Sequence, residues 1–155
     1  LLWAIERCID AGRCDLAGQL LAPWIPLDAT EMPARLRAPD DDVHRVGKLS
    51  RLAALRWSRT GDPARAVSLL TPLAIEARYL PQDWPAADLA RVPQGLRLER
   101  YDGAETLGIL AGAHKRLWNA ARAGDARLAQ GSAEDHLRAA SRLYAAVHSA
   151  QPWNH

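Results

Sequence analysis

The chain has 155 residues, a formal net charge of +2, 48% hydrophobic residues and 25% charged ones. These proportions exclude a disordered tail, and so small a charge does not imply a nucleic-acid partner. Alanine supplies 30 residues and leucine 23, against 14 for valine, isoleucine and threonine together. Ala and Leu lose little on entering a helix, whereas β-branched side chains lose χ1 freedom there, so the expected fold is all-α with no sheet.

Prolines and glycines divide the chain into helical pieces. A short helix is expected over residues 2–11, stopped by Gly12, and a second over 15–22, ended before Pro23. Residues 23–41 contain Pro23, Pro26, Pro33 and Pro39 and read as a connector. Asp40, Asp41 and Asp42 then offer N-cap oxygens to a third helix over 43–59, which Thr60-Gly61 ends. Asp62-Pro63 starts a fourth, because a capping carboxylate precedes a proline at the turn where no N–H is needed. It runs to about residue 78, and Pro72 should kink it or split off its last turn. Residues 79–101, with Pro81, Pro85 and Pro93, form a second connector with at most a short helix over 86–91. The longest helix covers 102–123, where Leu107, Leu110, His114, Leu117 and Ala121 recur at helical spacing. Ser132-Ala133-Glu134-Asp135 is a weak capping box ahead of a last helix over 133–150, ended by Pro152.

These pieces form one domain over 1–155, in pairs at about 2–22, 43–78 and 102–150. The start at Leu1 and the stop at His155 read as a fragment of a longer chain. The uncharged stretch over 16–27 is too short and too broken by Pro23 and Pro26 to cross a membrane. Cys8 and Cys14 match no zinc or redox motif and read as small buried residues in a reducing cytoplasm. No phosphate loop, nucleophile elbow or metalloprotease motif is present, so no cofactor and no catalytic or metal site is expected, and the chain is not read as an enzyme.

The first two pairs resemble each other. Gly12 is followed five residues later by Ala17 and then by Leu20-Leu21; Gly61 is followed at the same distance by Ala66 and then by Leu69-Leu70. A glycine that ends one helix and an alanine small enough for the next to cross closely are features of the tetratricopeptide repeat. Counting back from Gly61 puts the small packing position on Ala54 and the large aromatic one on Trp57; Ile5 and Cys8 fill those places less well in the first pair. The 49 residues from Gly12 to Gly61 exceed the repeat norm, so the connectors interrupt regular stacking, and any helical-hairpin bundle is the alternative.

The third pair carries a more specific resemblance. Asp102, Glu105, Thr106, Gly108, Gly112, Lys115, Arg116 and Trp118, with Leu143-Tyr144 and Pro152-Trp153-Asn154, resemble the TRAFs-binding type of tetratricopeptide family over residues 102–154. That family occurs in apoptosis-signal-regulating kinases and in many bacterial multidomain proteins. The resemblance implies a tetratricopeptide-like α-solenoid of six to seven helices, serving as an interaction scaffold in a signalling, stress-response or bacterial defence protein. It brings no catalytic residue.

Gly108 and Gly112 each carry a helix penalty of about 1 kcal/mol relative to Ala, which suggests that a neighbouring helix packs on the backbone there. Glu105, in the first turn, should cap or pair with a neighbour. His114 lies on the apolar face and reads as a core histidine. The third helix is basic: Lys48, Arg51, Ser58 and Arg59 occupy positions that line the groove of a tetratricopeptide stack. They form a candidate wall for an acidic peptide, a carboxylate or a phosphate. The alternative is a solvated face paired to Asp40, Asp41 and Asp42. Trp24, Trp57, Trp84, Trp118 and Trp153 are expected to anchor connectors, and an exposed Trp would mark a partner surface. The expected partner is a protein, a peptide or another domain of the same chain, with oligomerisation of the exposed end faces. A sensor module for a small anionic ligand such as a nucleotide is the alternative function.

Overall fold

A computed structural model describes residues 1–25, 43–85, 101–125 and 131–150. Six helices are present: α1 (Leu2–Asp10), α2 (Cys14–Leu21), α3 (Val43–Arg59), α4 (Pro63–Glu76), α5 (Tyr101–Arg122) and α6 (Ala133–Ala150). No strand occurs among the described residues, so the fold is all-α. The caps expected from Asp40, Asp41 and Asp42, the short helix over 86–91, the anchor Trp153 and the stop at Pro152 lie outside the described residues.

The first helix of every pair ends in the same way. Gly12, Gly61 and Gly124 adopt φ of +73°, +95° and +71°. The N–H beyond each one reaches back five residues: Arg13 N to Cys8 O at 2.7 Å, Asp62 N to Trp57 O at 2.9 Å, and Asp125 N to Ala120 O at 3.0 Å. This is the Schellman arrangement, which satisfies carbonyls that a helix end leaves bare and favours glycine at the left-handed residue. At α4 the same role falls to Arg78, a non-glycine at φ 60°, with Tyr79 N donating to Ala74 O at 2.7 Å. The starts of the second helices differ. Asp62 Oδ1 caps Arg65 N at 3.2 Å, whereas α2 begins without a side-chain cap. Ser132 Oγ accepts from Asp135 N at 3.1 Å and donates to the Asp135 carboxylate at 2.7 Å.

Pro72 does not split α4, which runs unbroken to Glu76. Pro72 and Ser68 are both exposed, so the carbonyl that loses its intrahelical N–H is open to water.

Packing follows chain order. α2 lies against α1 and α3, α4 lies against α3 and α5, and α6 lies against α5; α1 also meets α3, and α3 meets α5. This order is compatible with stacked helix pairs. Ala17, Ala54 and Ala66 are fully buried, as close helix crossings require. Ile5, Leu21, Leu52, Leu70, Leu107 and Leu143, drawn from all six helices, belong to one hydrophobic cluster. Each such side chain contributes roughly 1.5–3 kcal/mol through burial.

Among the described residues, no neighbouring helix packs tightly on the α5 glycines. A Cβ on Gly108 would meet nothing within 4 Å, and one on Gly112 would meet only Arg116 Nη1 at 3.3 Å and Tyr144 Oη at 3.9 Å. The helices of this chain pack instead on the other sides of α5, through Leu107, Leu110, Ala113 and Leu117.

Candidate functional site

α3 presents Lys48 and Arg51 one turn apart, and both are turned into the stack. Lys48 Nζ lies 3.2 Å from Glu6 Oε1 on α1 and 3.1 Å from Glu105 Oε1 on α5. Arg51 Nε donates to Glu105 Oε2 at 2.7 Å, and Arg51 Nη2 to Asp102 Oδ1 at 2.8 Å. Glu105 therefore bridges both cations, as the expectation that it pairs with a neighbour required. Burial alone would lower the Lys48 ammonium, but the hydrogen bonds and charges of Glu105 and Glu6 outweigh it and hold its pKa above the ordinary lysine value. The Arg51 side chain is 6% exposed. Gly47 leaves it room, since a Cβ there would stand 3.2 Å from Arg51 Nη1.

The other α3 positions are also committed. Arg59 Nη1 donates to Ile9 O at 2.8 Å and lies 3.9 Å from Asp10 Oδ1, so a cation meets the negative end of α1. Arg56 Nε donates to Cys14 O at 2.8 Å, crossing α2 at Gly18, where a Cβ would stand 2.7–2.8 Å from the guanidinium. Ser58 is buried, and its Oγ has no hydrogen-bond partner among the described residues. Arg65 stacks over the buried Trp57 ring at 4.3 Å.

Lys48, Arg51, Ser58 and Arg59 thus do not form an open basic wall. The carboxylates that use Lys48 and Arg51 come from α1 and α5, and no local spacing in the sequence pairs Glu6 with a lysine two helices away. Of the other motif residues, Lys115 is exposed and Trp118 is half-buried, with Arg122 5.3 Å over its ring. Trp24 and Trp84 pack half-buried against the core, as anchors should. Among the described residues the exposed tryptophan is Trp3, at 72%.

A second feature joins α4, α5 and α6. A cleft of about 480 Å³ is bounded by Val67 and Thr71, by Trp84 and Pro85, by His114, and by Asp135, His136, Arg138, Ala139 and Arg142. His114 is 8% exposed, and its Nδ1 lies 3.1 Å from Nδ1 of His136, so one ring donates there and the other accepts. Nε2 of His114 and Oγ1 of Thr71 are buried without a hydrogen-bond partner among the described residues. Burial, and then the neighbouring His136, lower the His114 pKa to about 4, so the ring is neutral at physiological pH. His114 is a buried histidine, as the apolar periodicity indicated, but the facing His136 was not foreseen. Twenty-two residues separate the two rings in sequence.

No group of three or more His, Cys, Asp or Glu that could hold a metal ion occurs among the described residues. Cys8 and Cys14 are free and half-buried. No described helix is long and apolar enough to cross a membrane. Comparison of the chain with protein-family models, with curated proteins and with solved structures finds no match.

Proposed function

We propose that this chain is a non-catalytic helical scaffold that binds another protein, or another domain, through the outer faces of its first and last helices. One observation carries the reading. The exposed large hydrophobic side chains are Leu1 and Trp3, at 51% and 72%, and Leu137 and Tyr144, at 43% and 46%. The first two belong to the start of α1 and the other two to α6. The middle helices leave none exposed among the described residues. In helix-pair stacks each unit buries its apolar face on a neighbour, so exposed apolar side chains mark contact surfaces. The internal use of Lys48, Arg51 and Arg59 supports the same reading, since it moves recognition from the groove to the ends. The tetratricopeptide-like resemblance of residues 102–154 supports a place in a cytoplasmic signalling, stress-response or bacterial defence protein.

The test is capture of partners by the 155-residue chain, compared with two variants. Trp3→Ser with Tyr144→Ser should abolish specific capture, whereas Lys115→Ala with Arg116→Ala, also exposed, should leave it intact. Capture undiminished by the first variant would overturn the reading.

The cleft favours a second reading, a sensor for a small ligand. Its volume lies in the range of ligand pockets, which is roughly 300–1,000 Å³, and Trp84 offers it an aromatic wall. A thermal-shift series with nucleotides and small organic acids tests it. A rise that disappears in Trp84→Ala supports the sensor, and no rise at millimolar ligand counts against it.

A further inference from the structure

Among the described residues, three side chains carry a buried polar atom without a hydrogen-bond partner: Ser58, Thr71 and His114. Two of the three, Thr71 on α4 and His114 on α5, line the cleft of about 480 Å³. A buried donor or acceptor left unpaired is costly, and native folds keep such a group mainly where a water, an ion or a functional partner meets it. Two around one cavity therefore point to an occupant.

The histidine pair shows which edge is left for it. The ring centroids of His114 and His136 are 5.4 Å apart, and their Nδ1 atoms are 3.1 Å apart. The difference is about two imidazole radii, so the nitrogens point almost straight at each other, as in an N–H···N hydrogen bond. Two ligands of one metal ion would instead converge on a point beside that line and bring the rings closer. Nδ1 of His114 is thus occupied, and Nε2 is the unpaired edge. It donates when His136 supplies the proton between the rings and accepts when His114 does. Thr71 Oγ1 can do either, and a helical threonine divides between two χ1 rotamers, so its hydroxyl can turn toward an arriving group.

The walls define the rest of the ligand. Val67, Trp84, Pro85 and Ala139 offer apolar surface. The cations of α6 are already engaged: Arg138 Nη2 lies 2.6 Å from Glu134 Oε1, Arg138 Nη1 lies 3.8 Å from Asp135 Oδ1, and Arg142 Nη1 donates to Pro85 O at 3.1 Å. His114 is neutral at physiological pH. A carboxylate or phosphate pressed against His114 and Thr71 would lose its water to an uncharged floor, whereas a neutral polar edge exchanges hydrogen bonds there at little cost.

We propose that the cleft between α4, α5 and α6 binds a small, flat, uncharged heteroaromatic compound. Its ring lies against Trp84, and its edge carries a donor beside an acceptor, as a primary amide or a nucleobase does, to meet His114 Nε2 and Thr71 Oγ1. This rests on the sensor reading of the cleft and names its ligand class.

The experiment is calorimetric titration and thermal shift on the 155-residue chain with nicotinamide and adenine, and with benzoate and inorganic phosphate as charged probes. The neutral rings should bind saturably with Kd below about 1 mM, and the charged probes roughly tenfold or more weakly. Thr71→Val keeps the shape of the side chain and removes one unpaired atom. Without ligand its melting temperature should equal or exceed that of wild type, yet it should bind the neutral rings roughly tenfold more weakly. Long-range proton–nitrogen spectra of the histidine rings should show His114 Nε2 shift on addition of nicotinamide. Neutral rings that leave the melting temperature and the His114 signals unchanged would overturn the inference, as would equal binding by Thr71→Val and wild type. If benzoate or phosphate raises the melting temperature through Trp84 while the neutral rings do not, this inference falls and the sensor reading stands. If none of the four probes binds, both fall.

Discussion

Lowering the pH should weaken the fold through His114 in a range where most carboxylates remain ionised. The ring is 8% exposed, and its pKa is lowered from 6.5 to about 4. In the unfolded chain it regains the ordinary histidine value. Between those limits the unfolded state binds more protons than the folded one, so stability falls as the pH drops from 6.5 to about 4, and this contribution is then fully lost. At 1.36 kcal/mol per pH unit, the ceiling is about 3 kcal/mol. The physical cause is that protonation would place a charge on a nearly buried ring, with the ring of His136 facing it at 3.1 Å. His114→Gln keeps a polar planar group of similar size that does not titrate. Urea unfolding of both proteins at pH 7, 5.5 and 4 isolates the effect, because the two proteins differ only at residue 114. Wild type should lose about 2–3 kcal/mol more than the variant between pH 7 and pH 4. Parallel losses in the two proteins would refute the argument, as would a His114 proton resonance that titrates near 6.5.

Other perturbations follow from the helix ends and crossings. Gly61→Ala puts a Cβ on a residue at φ +95° and should destabilise the chain by about 1–2 kcal/mol in a urea melt, with unchanged helical content. Arg78→Gly acts in the opposite sense. It relieves a non-glycine held at φ 60° and should raise stability by about 0.5–1 kcal/mol, readable as a higher melting temperature. Gly18→Ala should depend on its neighbour. With Arg56 present the new methyl displaces the guanidinium from Cys14 O and the net change is small. In an Arg56→Met background the same substitution should stabilise by about 1 kcal/mol, because only the gain in helix propensity remains. Equal effects in both backgrounds would show that Arg56 does not lie over Gly18.

The elements were legible in the sequence because their signals are local. Gly12 and Gly61 marked the helix ends, Asp62-Pro63 marked a start, and the alanines at 17, 54 and 66 marked close crossings. Of the two effects expected of Pro72, a kink or a split, the split does not occur, since α4 runs on to Glu76 and both Ser68 and Pro72 are exposed. The α5 glycines were read as the seat of a closely packed helix, whereas among the described residues nothing lies within 4 Å of a Cβ on Gly108. The basic character of α3 was equally plain, but its use was not. Lys48 and Arg51 meet Glu6, Asp102 and Glu105 only after α1, α3 and α5 come together, so a set of cations that resembled a binding wall is an internal staple. The histidine pair escaped notice for the same reason, as do most contacts between helices distant in sequence.

The central claim is that the cations of α3 hold the stack together and do not await an acidic ligand. A double-mutant cycle on Arg51→Met and Glu105→Gln, read by urea unfolding, tests it most directly. The 2.7 Å contact is charge-assisted, and the Arg51 side chain is 6% exposed, so the two substitutions should be coupled by about 1.5–3 kcal/mol. The coupling should persist in 1 M salt, because a nearly buried pair is screened far less than a surface one. A coupling near zero, with Arg51→Met as stable as wild type, would contradict the account and return Arg51 to the role of a free cation facing a partner.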